Sequence, residues 1–115
     1  MVLDMAAGPT WFERLGCGGP VYVDPLVGEA YKQPTFYALG QFSKFVSPDS
    51  VRIGHEIDGN DDDIYVLTVK RPDSAVAVVV LNRGDDEKIL NIKTQNNYLS
   101  NKIPAHSIQS YIWWY

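Results

Sequence analysis

The acidic run "DGNDDD", residues 58–63, is the first stretch whose residue types could do chemistry. Carboxylates at alternate loop positions can hold calcium, provided a glycine makes the turn at the sixth position and a glutamate closes the site at the twelfth. Asp63 and Val69 occupy those positions, so the run reads as a solvated hairpin loop. "RGD" at 83–85 matches an adhesion tripeptide, but three residues match by chance. It reads more simply as a turn, with Gly84 supplying backbone freedom. Cys17 is the only cysteine, so an internal disulfide is impossible and the thiol reads as inert. Zinc needs further Cys or His nearby, and His55 and His106 stand far off in sequence. No metal and no cofactor is expected. Trp113, Trp114 and Tyr115 could offer a platform on which a sugar stacks. Neighbours on a strand face opposite sides, so only one tryptophan could join such a face, and packing is the simpler reading.

The elements that must position these residues differ along the chain. Its 115 residues, 45% apolar and 21% charged, make a folded chain of one domain or a little less. The formal charge of −4 argues against nucleic acid and against an anionic membrane surface. No apolar run approaches the ~20 residues of a membrane-spanning helix. The opening "MVLDMAAGPTW" lacks the basic start and apolar core of a secretory signal, so the signal of an exported protein is expected outside this chain.

Residues 1–30 are rich in glycine and proline and read as a long loop, with Val2 and Leu3 ending a strand and "VYV" at 21–23 forming a short one. "YKQPTFYALGQFSKF" (31–45) reads as an amphipathic helix. Pro34 suits its first position, and Phe36, Leu39, Phe42, Phe45 and Val46 make its apolar side. Gly40 inside the helix costs about 1 kcal/mol against alanine and suggests close packing on another element. "SPDS" at 47–50 ends it.

Strands follow: "VRIGHEI" (51–57), "IYVLTVK" (64–70), "AVAVVVLN" (75–82), "KILNIK" (88–93) and "SIQSYIWWY" (107–115). The unbroken run Val76–Leu81 fits a central strand covered on both faces. Short strands joined by turns argue for an antiparallel sandwich. Burying five large helix side chains is worth about 1.5–3 kcal/mol each, roughly the net stability of a whole domain. A small sandwich could hardly shelter that helix, the glycine-rich region and the terminal aromatics together. The chain is therefore expected to be incomplete.

"YKQPTFYALGQFSKFV", continued by "SAVAVVVLNR" and "HSIQSYIWWY" and preceded by "LDMAAGPTW", resembles the C-terminal part of the glucosylceramidases, a family of retaining glycoside hydrolases. The likeness covers nearly the whole chain in order. It implies a mainly β fold: an antiparallel β-sandwich preceded by the last strand-loop-helix unit of a (β/α)8 barrel. Residues 1–47 are expected to be that unit and 48–115 the C-terminal sandwich, lacking N-terminal strands.

A retaining glycosidase needs two carboxyl groups about 5–5.5 Å apart, acid/base and nucleophile. The resemblance implies that both lie upstream of Met1. Asp4, Glu13, Asp24 and Glu29 match neither, so no catalytic residue is expected and the chain alone should be inactive. It also implies that Trp11 lies in the loop at the barrel's C-terminal face, where its indole could stack on sugar or lipid chain or anchor the rim. Glu13 and Arg14 could add polar contacts there, or pair in solvent. The implied partners are the missing barrel and a glycolipid substrate, and the implied location is the lysosome. An autonomous carbohydrate- or protein-binding sandwich is the alternative.

Overall fold

The computed structural model describes residues 2–4, 19–59 and 61–114. The chain divides into two compact units, Met1–Phe42 and Ser43–Tyr115.

In the first unit, β1 (Val2–Asp4), β2 (Val21–Asp24) and β3 (Glu29–Lys32) form a sheet in that order. β2 runs parallel to β1, with Val2 opposite Val21 and Asp4 opposite Val23. β3 returns antiparallel, with Asp24 opposite Glu29. Pro25 to Gly28 make the reversal. The Asp24 carboxylate accepts the backbone N–H of Leu26 at 2.9 Å and of Val27 at 3.3 Å. Gly28 donates its N–H to the Asp24 carbonyl at 2.9 Å with φ 74°, a left-handed conformation that costs glycine nothing. Tyr31 and Lys32, expected to open the helix, belong instead to Glu29–Lys32, which pairs through its backbone with all four residues exposed.

Helix α1 (Pro34–Phe45) begins at the proline, as expected, and contains no buried residue. Phe36 and Phe45 are half-buried, whereas Leu39 and Phe42 are 56% and 42% exposed. The close approach inferred at Gly40 is not met: nothing lies within 4 Å of where its Cβ would stand, among the described residues. Arg71 Nη1 donates to the carbonyl of Phe45 at 3.3 Å, satisfying one carbonyl of the last turn. "SPDS" then turns the chain, with Asp49 at φ 64°.

The second unit is a β-sandwich. One layer orders β4 (Val51–Arg52), β5 (Ile64–Lys70), β6 (Ala75–Asn82) and β9 (Ser107–Trp114), all antiparallel. The other is the hairpin of β7 (Lys88–Lys93) and β8 (Tyr98–Ile103). Val76, Val78 and Val80 of β6 and Ile103 of β8 form the core, with Leu90, Ile92, Tyr111 and Trp113 packed on it. The opposite face of β6 is sealed too: Ala75 and Ala77 are 0% and Val79 3% exposed, as a central strand requires. Trp113 joins the core while Trp114 is 62% exposed, the alternation expected of neighbours on a strand.

Two sequence expectations fail here. "VRIGHEI" is not one strand: only Val51–Arg52 pairs with β5, and Ile53 donates its N–H to the Thr68 carbonyl at 3.0 Å before the chain leaves the sheet at Gly54. Val51 and Ile57 are exposed, so the alternation did not mark a buried face. Strand β8 was missed because five of its six residues are exposed, which erases the period-2 signal.

Candidate functional site

The expected substrate contacts Trp11, Glu13 and Arg14 lie outside the described residues, as does Cys17. Among the described residues three places combine exposure with chemistry.

The first is the β2–β3 hairpin. Its parallel register with β1 carries the turn beyond Asp4, the C-terminal end of β1. Leu26 is 95% and Val27 64% exposed at the tip. Below it, the Tyr31 hydroxyl donates to the Glu29 carboxylate, which holds the phenol above its ordinary value of 10.0. Sequence reasoning missed this place, although two large apolar residues between Pro25 and Gly28 were a visible departure from polar turn chemistry.

The second is a cleft of about 410 Å³ between β9 and the turn end of the β7–β8 hairpin. Ile92, Leu99 and Ile112 supply apolar surface, Thr94, Asn97 and Ser110 polar groups, and Tyr98, Tyr111 and Trp113 aromatic rings. The Tyr111 hydroxyl donates to Gln109 Oε1, and the Tyr98 hydroxyl to Asn91 Oδ1 at 2.9 Å. Tyr98 and Leu99 come from the unrecognised β8, and Thr94 and Asn97 from the turn before it, so this wall of the cleft was invisible in the sequence.

The third is the charged end of the sandwich. Asp61 accepts a charge-assisted hydrogen bond from Lys88 Nζ and the backbone N–H of Asp63 at 3.1 Å. The Lys88 bond, then the backbone bond, hold the Asp61 carboxyl below its ordinary 3.8; the same Asp61 bond holds Lys88 above its ordinary 10.5. Arg83 stands 3.7 Å from Asp63. These carboxylates are engaged by cations, and no group of three acidic, His or Cys side chains is disposed to hold a metal among the described residues. Gly84 is needed here for space, not for the backbone freedom expected of it. Its φ is not positive, and a Cβ would meet Asp63 Oδ2 at 2.8 Å. Buried Asn82 ties the same end together. Its Nδ2 donates to the carbonyls of Asp86 at 2.8 Å, Ile103 at 3.3 Å and Pro104 at 3.1 Å, and its Oδ1 accepts the Gly84 N–H at 3.0 Å.

A strand, hairpin and helix precede, along the chain, a two-layer antiparallel β-sandwich domain. Residues 49–111 match the glycosyl hydrolase family 30 beta sandwich domain, and residues 1–46 match the TIM-barrel domain of the same family. The chain belongs to glycosyl hydrolase family 30. It is 34% identical over 114 residues to the lysosomal acid glucosylceramidase of Mus musculus, covering 98% of this chain and 22% of that protein. A putative glucosylceramidase (number 1) of Caenorhabditis elegans is 34% identical over 84 residues, which is 73% of this chain and 16% of the relative. The chain thus spans about a fifth of the length of the curated relatives it matches. Among solved structures, the endo-beta1,6-glucanase BT3312 superposes with TM-score 0.85 at 22% identity, over 99% of this chain and 26% of that one. SrfJ from Salmonella typhimurium gives TM-score 0.88 at 18% identity, over 99% and 25%. These two share the fold.

Proposed function

We propose that this chain is the C-terminal portion of a glucosylceramidase-like hydrolase that cleaves the β-glucosidic bond of glucosylceramide, in sphingolipid breakdown within the lysosome. In this reading both catalytic carboxylates, acid/base and nucleophile, come from the upstream barrel, and the 115 residues are inactive alone. Residues 1–47 complete the barrel with its last strand, loop and helix, and residues 48–115 form the C-terminal sandwich. Trp11 lies in the loop at the barrel mouth and stacks on the substrate, with Glu13 and Arg14 adding polar contacts.

The observation that carries this reading is helix α1, which buries none of its residues although Phe36, Leu39, Phe42 and Phe45 repeat along it. A single-helix surface of that kind needs a neighbour, and the barrel of the matched family supplies one. The test is complementation. This chain is grafted in place of the corresponding C-terminal portion of the mouse relative, and glucosylceramide hydrolysis is measured beside that of the 115-residue chain alone. Activity in the graft with none in the isolated chain is expected; hydrolysis by the isolated chain sinks the reading.

A second reading, an autonomous carbohydrate-binding sandwich, is favoured only by the aromatic cleft beside β9. Calorimetric titration of the chain with glucose and cellobiose tests it. Saturable binding lost in Tyr111→Ala supports it.

A further inference from the structure

We propose that Asp58–Gly59, in the loop between β4 and β5, is a self-modifying site: the Gly59 backbone nitrogen closes on the Asp58 side chain, and the ring reopens to leave an isoaspartyl linkage. Its chemistry needs a free nitrogen, a free carboxyl and a backbone able to bring them together. None of these depends on the barrel.

Asp58–Gly59 is the one Asp-Gly pair in the chain. Glycine has no Cβ to shield its nitrogen, and its backbone reaches conformations closed to other residues. Gly59 stands at φ 104°, and among the described residues nothing lies within 4 Å of where its Cβ would be. Both residues are exposed and belong to no strand or helix, so bending the loop breaks no ladder.

The other aspartates show what sets this pair apart. Pro25, which follows Asp24, has no N–H. The N–H groups that follow Asp49, Asp62, Asp63 and Asp73 are all engaged. Ser50 donates to the Ser47 carbonyl at 3.2 Å and Asp63 to the Asp61 carboxylate at 3.1 Å. Ile64 donates to the Asp61 carbonyl at 3.3 Å and Ser74 to the Arg71 carbonyl at 3.1 Å. A held N–H must give up its acceptor before its nitrogen can turn on a side chain. The carboxylates of Asp61, Asp73 and Asp85 are held too, by Lys88, Arg71 and His106. Among the described residues the Gly59 N–H has no acceptor, and the Asp58 carboxylate has no hydrogen bond or ion pair.

The step balances without oxidant or cofactor. The Gly59 nitrogen bonds to Asp58 Cγ, and a carboxyl oxygen leaves as water with the amide proton and the carboxyl proton. The product is a cyclic imide. Water then adds to one of its two carbonyl carbons. Cleavage of the bond from nitrogen to Cγ restores aspartate. Cleavage of the bond from nitrogen to the main-chain carbonyl carbon routes the chain through the side chain, longer by one carbon, and frees the main-chain carboxylate.

The 115-residue chain is kept in warm, mildly acidic buffer and sampled over weeks by tryptic digestion and mass spectrometry. The peptide Ile53–Lys70 should split into two species of equal mass, which separates isomerisation from deamidation. Electron-transfer fragmentation should place isoaspartate at residue 58, and an isoaspartyl methyltransferase with S-adenosylmethionine should label it. The peptide that carries Asp73–Ser74 should stay single. Gly59→Ala should slow the conversion about tenfold, because a Cβ beside the attacking nitrogen raises the barrier. Asp58→Glu, which requires a larger ring, should stop it. In urea the bonds that hold Asp73 and Ser74 are lost, so the ratio of isoaspartate at 58 to that at 73 should fall. Absence of isoaspartate at residue 58 overturns the proposal, as does an unchanged rate in Gly59→Ala. So does a ratio indifferent to urea, which would mean that the folded contacts play no part in the selection.

Discussion

An alanine Cβ at position 84 would stand 2.8 Å from Asp63 Oδ2, too close to stay, and a tight 3.1 Å from Asp63 Cβ, so the Asp63 side chain has to shift. Gly84→Ala should therefore destabilise the sandwich by about 1–3 kcal/mol, the usual cost of overpacking. In an Asp63→Ala background the nearest clashing atom is gone, so the same substitution should cost less; urea midpoints of the four proteins give the coupling. Asn82 is 0% exposed and serves three carbonyls and one N–H across two turns. Asn82→Ala removes the side-chain partner of the buried Gly84 N–H and Ile103 carbonyl and should cost about 1–3 kcal/mol, read as a lowered unfolding temperature. Neither role was legible beforehand. Gly84 sits in a turn sequence and invited a conformational explanation, but the reason is Asp63, a residue more than twenty positions away.

Helix α1 was the most legible element, because Pro34 and the three- and four-residue spacing of its apolar side chains write both its start and its face. Strand β8 was the least legible, since "YLSNKI" is exposed at five positions and is held by backbone pairing with β7. The helix makes opposite predictions in two settings. Among the described residues nothing lies within 4 Å of a Cβ at position 40, so in the isolated chain Gly40→Ala should stabilise by up to about 1 kcal/mol through helix propensity. Leu39→Ser/Phe42→Ser, at residues 56% and 42% exposed, should cost the isolated chain less than about 1 kcal/mol yet abolish activity of the barrel graft. Thermal unfolding and graft activity, measured side by side, check both. Equal effects in the two settings would show that this face meets no barrel.

For the molecule as a whole, pH dependence follows from the Asp61–Lys88 pair. Asp61 titrates below its ordinary 3.8, so its contribution is present above that value and lost as pH falls through the lowered one. Lys88 titrates above its ordinary 10.5, so its contribution is complete below that value and lost as pH rises through the raised one. Stability from this pair should be level between these limits. Lys88→Met should lessen the loss on the acid side, checked by urea midpoints taken across the acid range. Both groups are solvated, so the effect is small.

The sequence by itself determined the central strand of the sandwich and the turn that precedes it. "AVAVVVLN" has to be a central strand, because an apolar run unbroken from Val76 to Leu81 fits no edge, and "RPDS" has to reverse the chain after "IYVLTVK". It also carried the family, because the helix motif and the strand motifs keep their order over nearly the whole chain. Only the tertiary structure decided what neighbours do to individual residues. It put Gly84 against Asp63, closed an aromatic cleft with a polar strand, and carried Leu26 and Val27 beyond the end of β1. The physical reason is range. Periodicity and turn chemistry act within a few residues and survive in a linear reading, whereas register and close approach join residues whose separation along the chain says nothing about their separation in space.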